Sequence, residues 1–115
     1  MLRFSHRAVG IQNGRETLFS DFETDGPMWA GSGPRLVRRT VVFPTAFLSP
    51  PIVHVGVSMW DSAGDCNQRG DLSVEQVTAQ GFDLLFSTWG DSRVARIRVD
   101  WLAIGETIHD GDWDL

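Results

Sequence analysis

Three short segments concentrate side chains whose chemistry goes beyond packing: Trp60-Asp61, Asn67-Gln68-Arg69 and Trp89-Gly90-Asp91. The first ends an apolar run, the second follows a short loop, and the third sits at a turn. A sugar presents hydroxyls that both donate and accept, together with an apolar C–H face. Fixed arginine, carboxylate and amide groups meet the hydroxyls with charge-assisted hydrogen bonds. A partly exposed tryptophan covers the apolar face at low entropy cost. Loops on a rigid framework are where such groups belong. A purely structural reading stands beside this one. In it Asp61 and Arg69 close the loop between them as an ion pair, and Trp89 is core.

Other chemistries find little support. His6, His54 and His109 are far apart and fall in no HxH or HExxH spacing, so no metal site is expected. His54 lies within a strand and reads as a hydrogen-bonded histidine at a packed face. Gly31-Ser32-Gly33 lacks the strand-turn-helix context of a nucleophile elbow, and phosphate loops are absent. Nothing pairs two carboxylates as a glycosidase requires. The expectation is a protein without catalytic residues or cofactors. The one cysteine, Cys66, cannot form an intramolecular disulfide and fits a reducing compartment.

A formal net charge of −5 argues against nucleic acid, because phosphate binding needs a clustered positive surface. All 10 basic residues are arginines, and tyrosine is absent. The opening MLRFSHRAVG has no apolar stretch of the kind a Sec signal carries. No apolar run approaches the roughly 20 residues that span a bilayer. Membrane insertion is therefore not expected, and the reading for location is the cytoplasm or release by a non-Sec route.

The elements that must position these residues are strands, because the apolar period is two. Val37, Val41 and Phe43 share a face with Arg39. Val53, Val55, Val57 and Met59 alternate with Ile52, His54, Gly56 and Ser58. Phe82, Leu84 and Phe86 oppose Asp83, Ser87 and Trp89. Ala95, Ile97, Val99, Trp101 and Ala103 alternate with Arg96, Arg98 and Asp100, the clearest half-buried strand in the chain. Between the runs lie turn signals at Asn13-Gly14, Asp25-Gly26-Pro27, Gly31–Pro34, Ser49–Pro51, Ala63–Asp65, Gln80-Gly81 and Gly90-Asp91. No amphipathic helix is evident. This pattern predicts an all-β antiparallel sandwich. The 115 residues make one domain, with 106–115 as an acidic C-terminal tail and peripheral arm.

The segment from Val42 to Gly105 resembles the H-type lectin domain. The resemblance is carried by Phe43, Ser49-Pro50-Pro51, the strand into Trp60-Asp61, Asn67 and Arg69. It continues through Val77-Thr78, Gly81-Phe82, Thr88-Trp89 and Trp101-Leu102-Ala103-Ile104. Upstream, Ile11–Gly14, Trp29 and Arg35 look like the family's first strand and the approach to its second, so the resemblance covers about residues 11–105. It implies a six-stranded antiparallel β-sandwich that forms trimers, sometimes paired as hexamers. It also implies N-acetylgalactosamine or galactose bound in shallow sites between protomers. By this resemblance Arg69 donates to sugar hydroxyls, and Trp89 reaches the sugar from across the protomer boundary. Ser32 stands where the family has an aspartate acceptor, and Gly90 stands where a family member has histidine. The expected ligand-binding set is Arg69, Trp89, Asp61, Asn67, Ser32 and Gly90. The expected function is reversible glycan binding without catalysis. The alternative is a sugar-free structural or adhesive trimeric module of a larger, phage-tail-like assembly, with a glycan-processing enzyme as a distant third.

Overall fold

The structure, a computed structural model, describes residues 1–4 and 8–108. The expectations for His6, His109 and the tail beyond Ile108 lie outside the described residues. Six strands, β1 (Ala8–Ser20), β2 (Arg35–Val42), β3 (Ile52–Ser62), β4 (Asp71–Glu75), β5 (Gly81–Thr88) and β6 (Val94–Thr107), carry the fold. They form two three-stranded sheets, ordered β1-β6-β3 and β2-β5-β4, with every pairing antiparallel. Glu106 and Thr107, read as the start of the tail, instead end β6 opposite Val9 and Ala8.

The expected alternation holds where a strand is central in its sheet. The five apolar residues at every second position of β6, from Ala95 through Ala103, are buried. Phe82, Leu84 and Phe86 of β5 are buried as well, and one apolar cluster joins them to Ile97, Val99 and Trp101 of the opposite sheet. Phe43 and Phe82 both lie against the Trp101 ring, with centroids 5.7 and 5.5 Å away. Offset and edge contacts of this kind add to burial. Arg39, on the inner face of edge strand β2, reaches across to donate to the Leu18 carbonyl of β1 at 3.0 Å.

Four expectations change. Asn13-Gly14 is not a turn; both residues lie inside β1, with Gly14 paired to Trp101. In β3 a bulge between Val57 and Met59 inserts Ser58 and reverses the inward phase. Val57, at the sheet edge, is exposed, and Trp60 takes the inner position opposite Ile97, its ring 5.8 Å from that of Phe86. Arg98 holds the bulge by donating to the hydroxyl and carbonyl of Ser58. Finally, one helical turn, α1 (Pro27–Ala30), lies in the β1–β2 connection, with Pro27 at its start and Met28 buried beneath it. His54 faces outward and exposed beside Leu102, so it is not the packed histidine expected.

Candidate sugar-binding site

The strand order brings the β1–β2, β3–β4 and β5–β6 connections to one end of the molecule. Two residues lock them together. The Arg35 guanidinium lies within 2.9 to 3.3 Å of six backbone carbonyls: Pro27, Met28, Gly31, Gly33, Gly90 and Ser92. Ser92 is fully buried; its hydroxyl accepts the Arg69 backbone N–H at 2.9 Å and lies 3.0 Å from the Trp89 carbonyl and 3.2 Å from that of Asn67. The Thr88 hydroxyl donates to the Arg69 carbonyl, and the Gly33 N–H donates to Gly90 at 2.9 Å. Loop carbonyls that would otherwise face an apolar interior unpaired thus have partners.

On this frame the Arg69 side chain, about a third exposed, donates through Nη1 to the Asp91 carboxylate at 2.7 Å. The Arg69 bond, followed by backbone N–H groups, holds the Asp91 carboxyl below the usual aspartate range. Gly90 has φ of 70°, and a Cβ there would stand 3.1 Å from Nη1 of Arg69. A bare, left-handed residue is what the turn and its guanidinium neighbour require. Trp89 is 44% exposed and therefore not core. Its ring lines an open groove of about 360 Å³ with Pro34, Leu36 and Thr88.

Of the expected site residues, Arg69, Asn67 and the backbone of Trp89 converge through Ser92, and Gly90 lies against the Arg69 guanidinium. Ser32 is exposed in the turn that Gly33 ties to Gly90. Asp61 stands apart. It faces Arg96 directly across the β3–β6 ladder, and Arg96 donates to its carboxylate at 3.0 Å. The Asp61–Arg69 pair is therefore replaced by two others, Asp61–Arg96 and Arg69–Asp91. Sequence reasoning missed Asp91 as a site residue, and it missed Arg35 and Ser92 as the residues that position the loops. The signal for Asp91 was its place after Trp89-Gly90, in a turn already noted for its chemistry. Among the described residues no cluster of three or more metal-ligating side chains occurs, and no helix is long and apolar enough to cross a membrane.

Residues 38–104 match the model of the H-type lectin domain. The chain belongs to that family. This H-type lectin domain is 40% identical over 81 residues to discoidin-2 of Dictyostelium discoideum, an alignment that covers 70% of the chain and 32% of discoidin-2. It is 50% identical over 115 residues to the product of "ATP synthase subunits region ORF 7" of Fuscovulum blasticum, over 100% of the chain and 99% of that protein. Among solved structures, recombinant discoidin II of Dictyostelium discoideum superposes with a TM-score of 0.75 at 30% identity, over 92% of this chain and 41% of that one. The tailspike protein gp49 of Pseudomonas phage LKA1 shares the fold, with a TM-score of 0.53 at 18% identity over 89% of this chain and 15% of that one. The H-type lectin domain thus spans less than half of the discoidins it matches. Its lectin family consists of non-enzymatic carbohydrate-binding modules.

Proposed function

We infer that the chain binds glycans of the N-acetylgalactosamine or galactose type, reversibly and without catalysis, at sites completed between protomers of a trimer, with a trimer-paired hexamer as the larger form. The observation that carries this reading is the Arg69–Asp91 pair held 2.7 Å apart on loops fixed by Arg35 and Ser92, with an exposed Trp89 two residues before Asp91. Among the described residues Arg69 Nε and Nη2 have no partner, so donors remain for a sugar. The site is open and shallow, which gives weak affinity per site; several sites on one assembly then supply avidity.

Assembly has its own support on the outer face of β1-β6-β3. Ile11 and Ile52 flank Ile104 in one row, with Leu102 in the next. Ile11 is 67% and Ile52 55% exposed, an apolar strip that self-association would cover.

A glycan array with the fluorescently labelled protein tests the reading. Discrete hits on galactose- or galactosamine-terminated glycans are expected. No hits at any printed density would overturn it and leave a sugar-free structural module.

A further inference from the structure

We propose that Asp91 is a ligand-contacting residue that determines specificity, its carboxylate accepting one hydroxyl of an uncharged vicinal diol while Arg69 donates to the pair. This inference rests on the glycan-binding reading above and adds to it the residue and the hydroxyl pattern.

Three observations support it. Asp91 is the more exposed partner of its ion pair, 61% against 35% for Arg69, so the carboxylate stands at the mouth of the site. Arg69 occupies only Oδ1, and Oδ2 has no side-chain partner among the described residues. The Arg69 fork likewise spends Nη1 alone on the pair. Each carboxylate oxygen carries two lone pairs, so Asp91 keeps acceptor capacity beside the free guanidinium donors even with backbone N–H groups bonded to it. Two adjacent hydroxyls fit that pairing, because one hydroxyl accepts from the guanidinium while its neighbour donates to the carboxylate. The third observation is the bare Gly90, which leaves the guanidinium uncrowded where it reaches Asp91. A fixed carboxylate at the mouth also repels an anionic sugar, which makes the preferred ligand neutral.

The experiment is a coupling measurement by titration calorimetry. The ligands are methyl N-acetylgalactosaminide and its 3-deoxy and 4-deoxy analogues, and the proteins are the wild type and Asp91→Asn. In the wild type, deleting a hydroxyl that donates to Asp91 should weaken binding about tenfold. In Asp91→Asn the parent sugar should bind about tenfold more weakly, and the same deletion should then cost little. If Asp91→Asn weakens all three ligands by the same factor, Asp91 only orients Arg69 and the proposal falls. Unchanged binding by Asp91→Asn overturns it too, and both results leave glycan binding intact. A wild type that binds none of these sugars, nor any glycan on the array, brings down both readings together. Because Asp91 is exposed, the variant should fold as the wild type does and melt only slightly below it, and the melting temperature checks this.

Discussion

Gly14 stands directly opposite Trp101 in the β1–β6 ladder, and a Cβ on it would lie 2.5 Å from the indole nitrogen. The tryptophan fills the space that a side chain would take, and the edge strand and the core are fitted to each other at this point. Trp101 is only 5% exposed. Trp101→Ala should cost roughly 3–5 kcal/mol through lost burial and the cavity left behind. Gly14→Ala should also destabilise, by about 1–3 kcal/mol, through overpacking. Urea denaturation followed by fluorescence measures both. A neutral Gly14→Ala would show that the indole has room to move.

Arg35→Met keeps a long side chain and removes all of the donors that Arg35 offers the loop carbonyls. The loops should loosen before the sheets do. Amide hydrogen exchange is the suitable measurement: Gly33, whose N–H bonds to Gly90, should lose protection, while β6 amides keep theirs. Glycan affinity should fall in the same variant, since the Arg69 and Asp91 segments are no longer held.

The sequence made the core legible because β5 and β6 each have a buried face, and alternation then identifies it. It failed where an edge or a register intervenes. Ser58 adds one residue to β3, so the alternation read through Val57 to Met59 has the wrong phase beyond the bulge. Asn13-Gly14 carries the composition of a turn, yet the glycine is there for Trp101. Arg69 and Asp61 are close in sequence, but Asp61 has a cross-strand partner in Arg96 that only the ladder reveals. The partner Arg69 does take is 22 residues away, across two strands and a second loop. Site residues named from their types were largely gathered at one end; the pairing among them depended on topology.

Assembly through the isoleucine strip makes a direct prediction. Ile11→Asp and Ile52→Asp, each at an exposed position, should leave the fold intact and shift the mass in light scattering from three or six protomers toward one. Reductant should not dissociate a trimer, because one cysteine per chain, Cys66, can link chains only in pairs. A wild type that runs as a monomer at micromolar concentration would end the shared-site reading.

Arg69→Lys should weaken glycan binding while preserving the fold, because an ammonium cannot reproduce the planar fork. Trp89→Ala should weaken binding as well. Co-refolding the two variants decides where the site lies. If one protomer supplies Arg69 and its neighbour Trp89, mixed trimers contain some boundaries with both residues intact and regain binding. No recovery would place both residues in a site within one chain.

Acid should act late on this molecule. Arg69 lowers the Asp91 pKa, and Arg15, bonded to Asp100 at 2.7 Å, lowers that of Asp100. A depressed carboxyl pKa contributes stability that is present above the unfolded-state value and is lost as pH falls through the folded one. Both contributions should thus persist from neutrality to about pH 5 and disappear only below the ordinary aspartate range of about 4. Carboxyl carbon shifts followed by NMR should give midpoints for both residues below that of an aspartate in an unstructured peptide.

Arg35 grips its loops by main-chain oxygens alone, and those oxygens are present whatever side chains the loop residues carry. The exposed positions around it, Ser32, Trp89 and Asp91, can therefore be exchanged without surrendering the loop path. Inheritance of the framework is separated from inheritance of the ligand preference. A library randomised at those three positions over an intact Arg35 and Ser92 should yield mostly folded proteins that differ in what they bind.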